Sequence, residues 1–197
     1  MLDLIAATHN RGKMKEIEAL LPDMPVAVRC LADTDPDFTV VEDGETFAEN
    51  AIKKAEAVAA RFGCAALADD SGLCVDALDG EPGVYSARFA GEDATDADNN
   101  QKLLAMLTGR EDRAARFVCV MALAVPGRET VTVEGVCEGR IVETLSGDGG
   151  FGYDPLFVPR GYDATFAQLG SDIKNQISHR ARALHRMKER IAGLEGL

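Results

Sequence analysis

The chain has 197 residues, 46% of them hydrophobic, and carries 21 basic against 33 acidic side chains, a formal net charge of −12. That length suits one domain, or one domain with a smaller lobe, and allows a sizeable core without disulfides. So acidic a surface argues against broad binding to nucleic-acid backbones, but leaves room for a small polyanion wherever a few cations and a metal converge.

The N-terminus starts on the strand-like run Leu2 to Ala7. No signal peptide and no 18-residue apolar span is visible, so neither membrane nor export is expected. Five cysteines, Cys30, Cys64, Cys74, Cys119 and Cys137, form no CxxC pair and mostly sit in apolar runs. An odd count of buried free thiols suits a reducing, cytoplasmic compartment.

The first strand runs into Thr8-His9-Asn10-Arg11-Gly12-Lys13, and a helical pattern with Met14, Ile17, Leu20 and Leu21 follows, stopped before Pro22. Backbone N–H groups and the helix dipole favour an anion at such a start. Gly12 admits close approach and Lys13 adds charge; the alternative is a plain strand–helix turn with a solvated lysine. GxxxxGK[ST] is not met, so this is no Walker A loop. Val26 to Leu31 reads as a second strand. Asp33-x-Asp35-x-Asp37 imitates an EF-hand start, but Phe38 and Gly44 stand where glycine and glutamate are needed. The three histidines show no zinc spacing with cysteine.

Thr46-x-x-Glu49 is a capping box opening a helix to Phe62, with Gly63 as its stop. Its apolar stripe is Phe47, Ala51, Ala55, Val58 and Phe62. At about 100° per residue, Lys54 falls roughly 60° from the centre of that stripe and Lys53 on the opposite, solvent side. Lys54 is therefore the better ligand candidate, although an edge lysine can simply snorkel. Glu42-Asp43, just upstream, could add a metal oxygen or be only an acidic loop.

Ala65 to Ala68 reads as a buried strand running into Asp69-Asp70-Ser71-Gly72, with a further short strand from Leu73 to Leu78. Paired carboxylates at a strand end suit a divalent metal or a general base, or else cap a turn. Strand alternation sends the two to opposite faces, so one would enter a site directly. Asp96 to Leu107 is helical. Ala115 to Val125 and Thr130 to Val136 form a hairpin about Pro126-Gly127.

The loop from Ser146 through Pro155 contains Gly147-x-Gly149-x-x-Gly152, but no helix can open at Tyr153-Asp154-Pro155, which rules out a dinucleotide fingerprint. Phe151 or Tyr153 could stack on a base, or anchor a surface loop. Lys174-x-x-x-Ser178-His179-Arg180 leads into a last helix from Ser178 to about Leu194, with Ser178 as N-cap. Leu184, Met187 and Ile191 define its inward face. Arg180 shares that face; Arg182, Arg186 and Arg190 do not. An inward arginine has either an internal carboxylate partner or a bound anion or carbonyl. Helix and strand alternation followed by a hairpin gives a mixed-sheet α/β fold.

Taken together, these segments resemble the inosine/xanthosine triphosphate pyrophosphatase family. The matching pieces are Thr8-x-Asn10-x-x-Lys13, Phe47-x-Glu49-Asn50-Ala51 with Lys54, Ala68-Asp69-Asp70-Ser71-Gly72-Leu73, Pro82-Gly83-x-Tyr85-Ser86-Ala87-Arg88, Gly150-Phe151-Gly152-Tyr153-Asp154-Pro155 and Lys174-x-x-x-Ser178-His179-Arg180. Their order matches the family's and they span nearly the whole chain. His9 departs from the usual Gly or Asn. The resemblance implies an elongated α/β fold of two lobes with a mixed sheet, helices on its faces and a cleft active site, the whole chain forming one pyrophosphatase domain. It further implies Mg²⁺ dependence, a homodimer, and conversion of dITP/ITP and XTP to the monophosphate plus pyrophosphate, which clears deaminated purines from the precursor pool.

Carried over by position, the resemblance makes Asp70 the general base and, with Glu42, a metal ligand. It assigns the triphosphate to the loop Thr8, His9, Asn10, Arg11, Gly12 and Lys13 together with Lys54 and Ser71. It gives Phe151 a stacking role on the base, lets Gly152, Tyr153 and Asp154 shape the pocket, and sends Lys174, His179 and Arg180 to the purine and its six-position oxygen. A nucleotide sensor without turnover is disfavoured by the pair Asp70 and Glu42; a septum-inhibitor-type pyrophosphatase is disfavoured by Ser178-His179-Arg180.

Overall fold

The computed structural model describes residues 2–21 and 26–193. The expected stop at Pro22 and the helix end near Leu194 lie outside them. Six strands form one mixed sheet in the order β2-β1-β3-β4-β5-β6. They are β1 (Leu2–Ala6), β2 (Val26–Cys30), β3 (Ala65–Val75), β4 (Ala114–Ala124), β5 (Val131–Ile141) and β6 (Phe157–Pro159). β1 pairs in parallel with both β2 and β3, whereas β5 and β6 are antiparallel, with Ile141 opposite Phe157. The helices are α1 (Arg11–Leu20), α2 (Leu31–Thr34), α3 (Phe47–Phe62), α4 (Asp96–Met106), α5 (Phe166–Ile177) and α6 (His179–Ala192).

The chain divides into two compact units. The first comprises Met1–Asp70, Cys119–Gly135 and Arg180–Leu197; the second comprises Ser71–Val118 and Val136–His179. In the first, successive strand residues feed opposite faces, as the pleat requires. Leu4, Ala65, Leu67, Cys119 and Met121 pack with Ile17 of α1 and with Leu184 and Met187 of α6. Ile5, Ala66, Ala68 and Val120 pack with Ala51, Ala55 and Val58 of α3. The capping box of α3 forms as expected, and Gly63 closes the helix in the left-handed region at φ +67°.

The second unit is built on Leu73, Val75, Phe89, Leu103, Phe117, Phe157 and Phe166. Phe157 meets Phe117 edge-on at 4.7 Å and stacks on Phe166 at 5.4 Å. Gly139 is required where β5 passes β6, since a Cβ there would stand 2.3 Å from the Val158 carbonyl and 2.5 Å from the Phe157 ring.

Several elements differ from expectation; β5 runs on to Ile141, past the expected end at Val136, and β6 was not expected. Asp69-Asp70-Ser71-Gly72 is no turn; it lies within one unbroken eleven-residue strand, and a 3-10 turn (Asp76–Leu78) replaces the end of the second strand expected there. The strand survives because the buried carboxylates have cationic partners, described below. Leu31 begins α2 instead of ending β2. Helix α5 was not expected at all. Thr165-x-x-Gln168 is a capping box, but Gly170, at φ +81°, kinks the helix and interrupts the pattern.

Candidate active site

In the first unit, Asn10 is the N-cap of α1. Its side-chain oxygen accepts from the Lys13 N–H at 3.0 Å, and the Asn10 N–H donates to Thr8 Oγ1 at 3.1 Å. The first turn of α1 holds no acidic residue, so nothing opposes the positive end of its dipole there. Lys13 Nζ lies 3.2 Å from Asp69 Oδ2. His9 is exposed, and Arg11 extends to an exposed pair with Asp33 at 2.7 Å. The backbone of Arg11 and Gly12 thus belongs to the helix start, while the Arg11 side chain is occupied elsewhere.

Helix α3 delivers Lys54 on its buried edge and Lys53 to solvent, where Lys53 meets Asp43 at 2.5 Å. Lys54 Nζ donates to the Asp69 carbonyl at 2.8 Å, and stands 3.1 Å from Glu42 Oε2 and 3.9 Å from Asp70 Oδ1. One turn before Lys54, the buried Asn50 donates to Asp70 Oδ2 at 3.0 Å and accepts from the Gly44 N–H at 2.8 Å. A Cβ at Gly44 would lie 2.7 Å from that Asn50 oxygen. Asn50 therefore ties Asp70 to the loop bearing Glu42. Sequence reasoning gives Asn50 no role; its place beside Ala51 on the buried face of α3 is the signal that could have found it.

Alternation along β3 separates the two aspartates. Asp69 faces α1 and α6: Arg180 Nε and Nη2 donate to its Oδ2 at 3.3 and 3.1 Å. Arg180 is 1% exposed and pairs as well with Glu16 of α1. Burial alone would raise the Asp69 carboxyl, but the charges of Lys13, Arg180 and Lys54 outweigh it and hold Asp69 far below the ordinary carboxylate range. Asp70 faces α3. There burial wins: its carboxyl is pushed up, against the opposing pull of Lys54, Lys13 and the Asn50 hydrogen bond. The pair thus contains one firmly ionised carboxylate and one whose proton affinity is raised.

Among the described residues no group of three or more His, Cys, Asp or Glu is placed to hold a metal alone. Glu42 and Asp70 nevertheless converge on one ammonium, and such a two-carboxylate set suits a hard cation whose remaining ligands are water and phosphate oxygens.

The second unit holds the other predicted residues. Ser71, half-buried, follows Asp70 in β3. Asp154 Oδ2 accepts from the Phe151 N–H at 2.9 Å and from Lys174 Nζ at 2.5 Å. That ammonium also lies 4.5 Å from the centre of the Phe151 ring. Gly150, at φ +76°, cannot carry a side chain, because its Cβ would meet Asp154 Oδ2 at 2.1 Å. Tyr153 is buried and donates to the Ser86 carbonyl at 2.8 Å. His179 is buried and stacks on Phe117 at 4.7 Å and 12°. Phe151, Asp154 and Lys174 are thus assembled around one carboxylate.

The first unit thus brings together a helix start free of acidic residues, two lysines and a carboxylate of raised proton affinity, a set whose chemistry suits a phosphorylated ligand. A model of the Ham1 family matches residues 4–190, and the chain belongs to that family. It is 56% identical over 181 residues to a dITP/XTP pyrophosphatase of Syntrophobacter fumaroxidans, covering 92% of this chain and 78% of that one. It is 50% identical to a dITP/XTP pyrophosphatase of Shouchella clausii, covering 98% of each. Among solved structures, a HAM1 protein from Coxiella burnetii superposes with a TM-score of 0.89 at 40% identity, covering 98% of this chain and all of that one.

Proposed function

We propose that the chain is a nucleoside triphosphate pyrophosphatase that converts dITP, ITP and XTP to the monophosphate and pyrophosphate. The observation that carries this reading is Asp70, buried, raised in proton affinity, and held by Asn50 beside Lys54. In the reaction a water oxygen attacks the α-phosphorus, its proton passes to Asp70, and the bond from the α-phosphorus to the bridging oxygen breaks, so that pyrophosphate leaves with the electron pair. The α1 N-terminus, Thr8, Asn10, Lys13, Lys54 and Ser71 hold the phosphates, and the lysines oppose charge growing on their oxygens. Glu42 and Asp70 would hold Mg²⁺, which supplies Lewis-acid polarisation of the phosphoryl oxygens when bound.

Phe151 stacks on the purine and Lys174 and His179 donate towards its six-position oxygen. An amino group at position six leaves such donors unpaired, and sites of this kind discriminate by about 10⁴-fold. Arg180 is first of all the counter-ion of Asp69 and Glu16, a role its burial and hydrogen bonds support. The whole chain acts as one pyrophosphatase domain, as a homodimer, in the cytoplasm. In support, no described helix is long and apolar enough to cross a membrane, and the five cysteines are free thiols. The test is hydrolysis of a panel of triphosphates with and without Mg²⁺. Faster turnover of ITP and XTP than of ATP, abolished by chelation, is expected; preference for ATP refutes the base assignment.

A further inference from the structure

Helix α4 has no part in the chemistry above, yet its first two turns grip the loop that carries Phe151. The Gly152 N–H donates to Asp96 Oδ2 at 2.7 Å, and the Gly152 carbonyl accepts from Asn100 Nδ2 at 2.9 Å. Both polar groups of one peptide residue thus end on side chains one helical turn apart, on the same face of α4. Asp96 is not needed to cap the helix, because Thr95 and Asp98 already form a reciprocal capping box. The neighbouring Asn99 ties the other flank: it accepts from the Ala90 N–H at 2.7 Å and donates to the Ala87 carbonyl at 3.2 Å.

Asn100 is 4% exposed, and its side-chain oxygen meets no hydrogen-bond donor among the described residues. A half-satisfied buried amide in a helix is a poor choice for stability: asparagine is a weak helix former, and an apolar residue of that size would leave no acceptor stranded. What Asn100 does supply is the donor to Gly152. Gly152 itself is at φ +60°, one of the many conformations open to glycine, so outside contacts serve to select this turn. Two further contacts fix its neighbours, Tyr153 on the Ser86 carbonyl and Asp154 on Lys174. Among the described residues, it is Asp96 and Asn100 whose side chains address the residue directly after Phe151.

We propose that Asp96 and Asn100 are positioning residues for base recognition: they lock the Gly152 peptide and thereby set the orientation in which Phe151 meets the purine. This rests on the reading that Phe151 stacks on the base. Their loss weakens binding of the nucleoside part of the substrate and leaves the phosphate-binding groups unchanged.

Steady-state kinetics on ITP, inhibition by inorganic pyrophosphate and melting temperature are measured for Asn100→Leu, Asp96→Ala, Asp96→Asn and Phe151→Ala. Asn100→Leu and Asp96→Ala are expected to raise KM roughly tenfold, the range for one lost hydrogen bond to a loop that must order, with kcat within about threefold and pyrophosphate inhibition unchanged. Asp96→Asn keeps an acceptor and is expected to restore KM to within about threefold of the parent. Parental KM in Asn100→Leu and Asp96→Ala, with KM raised in Phe151→Ala, overturns the inference and spares the stacking reading. Parental KM in Phe151→Ala overturns the stacking reading and the inference with it. Equal loss of pyrophosphate inhibition and ITP turnover marks a merely structural role and also overturns it. Should Asn100→Leu not fold, the Asp96→Ala and Asp96→Asn pair decides alone: KM raised in the first and restored in the second supports the proposal, and parental KM in both overturns it.

Discussion

Replacing Arg180 by alanine separates two roles that its position in the sequence left open. Its guanidinium, 1% exposed, serves Asp69 through Nε and Nη2 and pairs with Glu16 through Nη1. Removing one partner of a buried ion pair costs about 3–5 kcal/mol, because the remaining charge keeps its desolvation penalty. In a chain of this size each kcal/mol shifts the melting temperature by about 2–4 °C, so Arg180→Ala is expected to melt roughly 6–20 °C lower. The difference should depend on pH. In the parent, Asp69 is depressed below its unfolded value, so its stabilisation is complete above the ordinary carboxylate range and is lost only as pH falls through the depressed value. In the variant Asp69 loses a principal counter-charge and its proton affinity rises. Protonation then relieves the buried charge, and the gap in melting temperature narrows as pH is lowered towards 5. The assay is scanning fluorimetry across pH, together with kcat/KM for ITP and for ATP. Both substrates should suffer alike. A melting temperature close to the parent's, with the ITP over ATP ratio falling by about 10²-fold, would refute the ion-pair account and make Arg180 a donor to the base.

Asp70→Asn is expected to lower kcat by about 10²-fold or more at little cost in melting temperature; turnover within threefold of the parent would remove Asp70 from the base role. Lys54→Ala should raise KM for ITP, whereas Lys53→Ala should leave KM and melting temperature close to the parent's, as Lys53 meets Asp43 in solvent. Equal effects of the two would show that the phase of α3 does not govern function.

Much of the first unit was legible from pattern. The α3 stripe, its capping box and its Gly63 stop gave the helix phase, and phase alone distinguished Lys54 from Lys53. Alternation along β3 gave opposite faces to Asp69 and Asp70. Charges concealed the rest. Two adjacent aspartates and a Ser-Gly pair look like a turn, because a strand can bury them only when distant partners pair with or hydrogen-bond them. Those partners, Arg180 and Asn50, lie 111 and 20 residues away in the chain. Helix α5 was hidden by Gly170 inside its pattern, although Phe166, Leu169, Ile173 and Ile177 kept helical spacing. The grip of Asp96 and Asn100 on Gly152, across 56 and 52 residues, left no local trace at all.

Attack of water at the α-phosphorus is tested most directly by hydrolysis of ITP with Mg²⁺ in ¹⁸O-enriched water. Mass spectrometry of the products is expected to show IMP and pyrophosphate, with one ¹⁸O in the phosphate of IMP and none in pyrophosphate. Label in the pyrophosphate, or release of IDP with orthophosphate, would place the attack at another phosphorus and rule out Asp70 as the base for an α-phosphorus reaction.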